Sequence, residues 1–338
     1  MVIGYGVIGI GAHANRFMAP AITKAANTKL VAICSRSVER ANKFAAEHNV
    51  ERTYVSFEKM LKDTEIDVVY VATPNNLHAE HTIQAAKAGK HILCEKPMAL
   101  TEADCERMIE ACEKNRVKLA VDFQNRYHPA HIEAHRLIRD DKLGKIYVAK
   151  AQYCHGITQA VWQKGWRDDP SMAGAGALVG TAIHPIDLLR FLLDSEVNEV
   201  QALCVTQTPY HTVDEMVYAI LKFQNGVCGV VISGLLAPRS DDDVVLYGYT
   251  AKITCKGTVG MPLRGELLIE GDSINMKASF PTNDPIPGNY IRVVEAFNKC
   301  IKENTEPDIS GYNGLQMVRI TNAILESSRE GKSIKIEI

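Results

Sequence analysis

The chain has 338 residues, 46% of them hydrophobic and 23% charged, and a formal net charge of -2. That balance is of a globular protein with material for about two cores. It excludes a disordered chain and gives no electrostatic attraction for nucleic acid or an anionic membrane surface, so neither is expected as a partner. The nine cysteines (Cys34, Cys94, Cys105, Cys112, Cys154, Cys204, Cys228, Cys255 and Cys300) are scattered, odd in number and free of any C-x-x-C pair. No disulfide framework or thiolate zinc site is expected, and a cytoplasmic, reducing location fits.

The apolar start MVIGYGVIGIG lacks a basic n-region and runs into a glycine-rich loop, so it reads as a first strand, not a signal peptide. No run of about 18 apolar residues points to a membrane span. From residue 5 to about 121, strand-like and helical patterns alternate. YGVIGI is followed by a helix to Ala26, KLVAIC by a helix from Ser37 to His48, and VVYVAT by a helix from about Leu77 to Ala88. KHILC, a helix capped by the Thr101-Glu102-Ala103-Asp104 box and KLAV complete the series. Such alternation predicts a Rossmann-type, doubly wound parallel sheet over residues 1–121. After Asp122 one helix precedes KIYVAKAQY, EVQALCVTQ, EMVYAILKF, GVCGVVISG, DVVLYGY, AKITCKG and GELLIEG, with a turn signal at Gln224-Asn225-Gly226. These runs predict a second domain, 122–338, with an open, largely antiparallel sheet. Two late helices, about Asn289 to Lys302 and Tyr312 to Arg329, complete the α/β chain.

Gly9-x-Gly11-x-x-Ala14 lies between the first strand and a helical pattern, the setting in which this spacing signals dinucleotide binding. Gly9 permits the turn, Gly11 lets backbone amides approach a pyrophosphate, and the small Ala14 lets the helix pack close to the strand. An enzyme that takes NAD usually presents Asp or Glu at the end of the second strand to hold the ribose 2'-hydroxyl. Here that strand ends Cys34-Ser35-Arg36-Ser37, with Arg40 a turn later. Ser35, Arg36 and Arg40 suit a 2'-phosphate, so NADP is the expected cofactor and NAD the alternative.

The segment VVYVATPNNLHAEHTIQAAKAGKHILCEKPMAL (68–100) resembles the glucose-fructose oxidoreductase, inositol dehydrogenase and MocA family, above all in Glu95-Lys96-Pro97. Arg126, Pro129, Gly144, Trp166-Arg167, His184-x-x-Asp187 and YNGLQMVRITNAILESS extend the resemblance over essentially the whole chain. The stretch 35–40 is most similar to the NADPH-dependent 1,5-anhydrofructose reductases of that family. The resemblance implies a Rossmann domain joined to an α/β domain used for dimer or tetramer contacts, and redox chemistry on a sugar or cyclitol. It also implies cofactor contacts at Thr73, Asn75 and Glu95, and substrate contacts at Arg126, Trp166, Arg167 and Asp187.

Hydride transfer at an alcohol carbon needs a group that moves the hydroxyl proton and a donor or cation that stabilises the alkoxide. His184 and Lys96 suit these roles, and Asp187, one turn after His184, is placed to orient its imidazole. The family pattern carries aspartate four residues before this histidine, where the present chain has Gly180. Tyr153, His155 and Asp168 are candidate replacements, and Trp162 joins Trp166 and Arg167 as a candidate pocket wall. The reading is therefore a hydride-transferring oxidoreductase. A dinucleotide-dependent glycosidase and a catalytically silent cofactor-binding sensor are the alternatives. His128, His131 and His135, like His78 and His81, are expected to be helix-surface histidines with no metal site, and Asp241-Asp242-Asp243 to be a solvated turn.

Overall fold

A computed structural model describes residues 2–156, 165–260, 264–280 and 288–337. Its contacts divide the chain into two units, Met1–Gln124 with Asp284–Val318, and Asn125–Asn283 with Arg319–Ile338.

In the first unit the elements run β1 (Ile3–Ile8), α1 (Ala19–Lys24), β2 (Thr28–Cys34), α2 (Val38–His48), β3 (Arg52–Tyr54) and α3 (Phe57–Leu61). They continue with β4 (Val68–Val71), α4 (His78–Lys87), β5 (His91–Cys94), α5 (Glu102–Lys114) and β6 (Leu119–Val121). The six strands form one parallel sheet in the order β3-β2-β1-β4-β5-β6. This is the doubly wound order whose reversal between β1 and β4 opens a crevice at the strands' carboxyl ends. Helices on both faces explain why every residue of β1 and β4 is buried. Helix starts follow their caps. The Ser37 hydroxyl accepts from Arg40 N at 3.3 Å, and the Thr101 hydroxyl accepts from Asp104 N at 3.1 Å, each cap contributing about 1 kcal/mol.

The second unit contains α6 (Pro129–Arg139), β7 (Ile146–Cys154), α7 (Pro170–Ala173), α8 (Ile183–Leu193), β8 (Val197–Val205), β9 (Met216–Phe223) and β10 (Cys228–Gly234). There follow β11 (Val244–Gly248), β12 (Ala251–Lys256), β13 (Glu266–Gly271) and β14 (Asn275–Ser279). With the terminal β15 (Ile334–Lys335), these strands form a nine-stranded sheet ordered β14-β13-β12-β11-β7-β10-β9-β8-β15. Only β7 and β10 pair in parallel within it, so the sheet is largely antiparallel, as expected. Helices α6 and α8 pack on one face. On the other face Leu203, Tyr218, Ile220, Val230 and Tyr247 are exposed. Strand alternation accounts for this pattern, β9 reading buried and exposed by turns along Val217 to Phe223. The stretch Pro170–Leu193 is long and apolar enough to cross a bilayer, but 83% of its most apolar window is buried inside the protein, as in a core helix.

Two further helices, α9 (Gly288–Glu303) and α10 (Gly311–Glu330), precede β15. The sequence reading placed both in the second domain; α9 and the start of α10 instead group with the first unit. The cause is packing against α1 and the turn before it, with one hydrogen bond to β1. The Tyr5 hydroxyl donates to Asn298 Oδ1 at 2.8 Å, and Tyr290 stacks on Phe17 with centroids 5.5 Å apart. An aromatic pair of this kind adds about 0.5–1.5 kcal/mol beyond its buried area.

Candidate functional site

In the first unit the strand register itself assembles the site. Ile8 pairs with Val71, Val71 with Cys94, and Cys94 with Val121, so the residues that follow each strand meet along one carboxyl edge. Gly9 leaves β1 at φ +91°, and a Cβ there would lie 2.3 Å from the carbonyl carbon and oxygen of Ala72, a close approach only glycine permits. Gly11 is different, because a Cβ there would meet nothing within 4 Å. Its surroundings leave room for a ligand against the backbone. Ala14 is buried and begins a π-helical turn, Ala14–Met18, that leads into α1. The tight turn, the open backbone and the helix start fit a dinucleotide pyrophosphate.

At the end of β2, Ser37 serves as the cap of α2 and its amide donates to Ser35 Oγ at 3.2 Å. Arg36 and Arg40 are exposed. The Arg40 guanidinium reaches back to the glycine loop, 3.5 Å from Ile10 O. No carboxylate stands among residues 34–38.

Thr73 and the buried Asn75 follow β4. The Thr73 hydroxyl contacts His81 Nδ1 at 3.1 Å. His78, expected on the surface, is buried and bridges two edge loops, with Nδ1 2.9 Å from Pro97 O and Nε2 2.8 Å from Thr73 O. The Lys96-Pro97 bond is cis, and Lys96 is half-buried. Beside it Glu95 is buried and richly held. The Tyr70 hydroxyl donates to Oε1, Lys96 N donates to Oε2 at 3.2 Å, and His13 Nε2 lies 2.8 Å from Oε1. Burial opposes ionisation of Glu95, but His13, Lys96 and Tyr70 outweigh it and hold the carboxyl below its ordinary range. Asp122, which the sequence reading passed over, lies next to it at the end of β6. It is 1% exposed, and neither of its carboxylate oxygens meets a donor. Burial first, then the neighbouring Glu95, push its carboxyl well above the usual range.

In the second unit Arg126 and Asp187, both expected at a substrate, engage each other. Arg126 Nε donates to Asp187 Oδ2 at 2.7 Å and its Nη2 to Oδ1 at 2.5 Å, while Arg190 Nη1 reaches Oδ1 at 3.3 Å. Arg190 also forks onto Glu196, with both contacts at 2.7 Å. Asp187, expected to orient His184, is thus held by guanidinium groups at both oxygens, and its bidentate pairing with Arg126 is a strong contact. His184 is buried at the second position of α8, which directly continues a π-helical stretch, Leu178–Ala182, that contains Gly180. Tyr153 meets it edge-on with centroids 5.9 Å apart, and meets His155 at 4.6 Å. A side chain at Gly260, φ +97°, would fall on the Tyr153 ring. Burial and Asp242 raise the Tyr153 phenol above its ordinary range.

Of the three candidates to replace the family aspartate, Tyr153 and His155 therefore form one cluster that reaches His184. Asp168 instead accepts from Thr212 N at 2.8 Å. Arg167 lies 4.4 Å above the Trp166 ring. Trp162 falls outside the described residues. The α6 histidines are not all at the surface as expected. His128 and His131 are buried, His128 capping α6 by accepting from Ala130 N, and His131 spanning Asn125 O at 2.6 Å and Thr258 Oγ1 at 2.8 Å. His135 pairs with Asp194 at 2.9 Å.

Comparison with known proteins bears on the family and the fold. Residues 3–123 match the model of an oxidoreductase family with an NAD-binding Rossmann fold, and residues 131–254 match the GFO/IDH/MocA C-terminal domain. The chain is 27% identical to 1,5-anhydro-D-fructose reductase of Ensifer adhaerens over 98% of each chain. It is 31% identical to levoglucosan dehydrogenase of Pseudarthrobacter phenanthrenivorans, covering 88% of this chain and 86% of that one. A solved levoglucosan dehydrogenase in complex with NADH and levoglucosan superposes over 100% of both chains with a TM-score of 0.90 at 26% identity.

Proposed function

Because the chain belongs to the glucose-fructose oxidoreductase, inositol dehydrogenase and MocA family, we propose that it is an NADP(H)-dependent oxidoreductase acting on a hydroxyl carbon of a sugar or polyol, or on the corresponding ketone. The observation that carries this reading is the carboxyl edge of the first unit's sheet. A glycine loop with open backbone at Gly11 opens the binding side, and Lys96 follows β5 on the same edge. The bound dinucleotide would accept or give the hydride. Gly9, Gly11 and Ala14 would hold its pyrophosphate, and Thr73, Asn75 and Glu95 its second half. Lys96 supplies positive charge where an alkoxide develops, and His184 takes or returns the hydroxyl proton. Tyr153, Trp166 and Arg167 are assigned to the substrate, as are Arg126 and Asp187, which brace each other.

NADP is preferred over NAD because Ser35 and exposed Arg36 follow a second strand that carries no acid, and exposed Arg40 lies in the first turn of α2. Arginines there complement a 2'-phosphate and would be of little use to a 2'-hydroxyl. We propose further that the protein works in the cytoplasm as a homodimer or homotetramer. All nine cysteines are free and seven are buried. The open sheet face carries Leu203 opposite Tyr218, and Ile220 opposite Val230, an exposed apolar area that association would cover.

The test follows the absorbance of the reduced cofactor, in both directions, over sugars, polyols and keto-sugars, with NADP and with NAD. Turnover of at least one substrate is expected, and Lys96→Ala and His184→Ala should each lower it about a hundredfold or more. Arg36→Ala should weaken NADP much more than NAD. Tight cofactor binding without turnover on any substrate would favour a sensor, and aglycone release without net cofactor change would favour a glycosidase.

A further inference from the structure

The parallel register of β5 and β6 places Glu95 and Asp122 side by side, each the first residue beyond its strand. Asp122 N donates to Cys94 O at 2.8 Å, which fixes the two backbones against each other. One nitrogen of His13 and one oxygen from each of the two acids all lie within 4.8 Å of one another. The donors in this cluster converge on Glu95, namely the Tyr70 hydroxyl and the Lys96 amide, with His13 against the same carboxylate. Asp122 is 1% exposed and neither oxygen meets a donor. Two adjacent buried carboxylates resist ionising together, and one proton between them would supply the donor that Asp122 lacks. The ionisable groups that face this pair are Lys96, His13 from the glycine loop, Tyr70 from β4, His78 from α4, Tyr290 from α9, and Cys94 from β5. In a sheet of this order the half of the crevice over β4, β5 and β6 takes the second mononucleotide.

We propose that Asp122 and Glu95 hold one proton between them, and that this proton is released when the oxidised, positively charged nicotinamide binds and kept when the reduced, neutral ring binds. The inference rests on the dinucleotide reading above. The step is a proton exchange alone, in which the Asp122 carboxylic acid gives its proton to solvent and becomes a carboxylate, and no electrons move. Rising pH therefore favours the oxidised cofactor over the reduced one. Asp122 acts here as a positioning residue, working on the cofactor through the charge of the pair.

Two measurements test this. The first is the infrared spectrum of the protein without cofactor at neutral pH. It should contain the carbonyl stretch of a buried protonated carboxyl, and the band should vanish in Asp122→Asn. The second is calorimetric titration with NADP+ and with NADPH at several pH values, in buffers of different ionisation enthalpy. The ratio of the dissociation constants, oxidised over reduced, should fall as pH rises, by up to about tenfold per pH unit at its steepest. Protonation of the 2'-phosphate is common to both cofactors and cancels in that ratio. In Asp122→Asn the dependence should flatten, since the amide donates to Glu95 but cannot ionise. Asp122→Ser, whose hydroxyl can also donate, should behave alike and serves if the amide variant does not fold. Absence of the infrared band would overturn the shared proton. A pH-independent ratio in the unaltered protein would overturn the coupling. Failure to bind either cofactor with the band present would defeat the dinucleotide reading, and the coupling with it, while leaving the shared proton standing.

Discussion

Two glycines of one loop should respond to the same substitution in opposite ways. At Gly9 an alanine must adopt φ +91° and place its Cβ 2.3 Å from the Ala72 carbonyl and 2.5 Å from Thr73 N. The atoms it meets are backbone and cannot rotate away. The unfavourable dihedral costs about 1–2 kcal/mol and the overlap about 1–3 kcal/mol more. Gly9→Ala should thus lose about 2–5 kcal/mol of stability, because Ala72 N is bonded to Ile8 O at 2.8 Å and the β1 and β4 ends must part. At Gly11 the added Cβ meets nothing within 4 Å, so Gly11→Ala should change stability by less than about 0.5 kcal/mol. The methyl group would stand where the pyrophosphate has to approach, and cofactor affinity should fall about ten- to a hundredfold, or about 1.4–2.7 kcal/mol. Chemical denaturation and a cofactor titration on both variants decide the matter. A Gly11→Ala protein that binds cofactor normally would refute the placement of the pyrophosphate, and a Gly9→Ala protein of normal stability would refute the close packing of the loop.

Asp187→Ala should cost about 3–5 kcal/mol in denaturant unfolding, since it leaves the buried guanidinium of Arg126 without its bidentate partner and takes one acceptor from Arg190; a loss below 1 kcal/mol would mean the pair is not formed. His131 is fully buried, and burial lowers it from about 6.5 to about 4. A lowered folded value makes its contribution complete above pH 6.5 and loses it as pH falls toward 4, by at most about 3 kcal/mol. Unfolding free energies over that window check the loss, and a His131 resonance titrating near its ordinary value would contradict it. Ile220→Lys, on the exposed sheet face, should shift the assembly toward monomers by light scattering with no loss of fold. A monomeric parent protein would remove the basis for this expectation.

What the sequence disclosed follows the range of each interaction. The first sheet was legible because its strands are continuous apolar runs and its helices carry local caps at Ser37 and Thr101. The short β3, with no buried residue, and β14, with alternate residues exposed, carry little apolar signal and were not read. The return of α9 to the first unit depends on Tyr5 and Asn298, 293 residues apart, and no local pattern announces such a contact. The candidate site divides in the same way. Gly9, Gly11 and Ala14 are recognised by spacing, whereas Asp122 matters only through Glu95, 27 positions earlier on the neighbouring strand. One signal was available. A carboxylate directly after the apolar run LAV stands at the carboxyl edge, where such sheets bind ligands.

The glycine at 180 is where sequence and structure bear hardest on each other. A carboxylate at that position could accept a proton, accept a hydrogen bond and favour an imidazolium at His184; glycine does none of these. Tyr153 stands closest to filling the gap, with its ring edge-on to His184, but its phenol is raised above the ordinary range by burial and by Asp242. A phenol in that state keeps its proton at neutral pH. It can donate a hydrogen bond to a substrate oxygen or to an imidazole nitrogen, and it cannot act as a base. Asp187 already accepts from Arg126 and Arg190, which fixes its position. Under the proposed function, proton abstraction within the second unit would fall to His184, and Tyr153 would serve as a donor to the reacting oxygen.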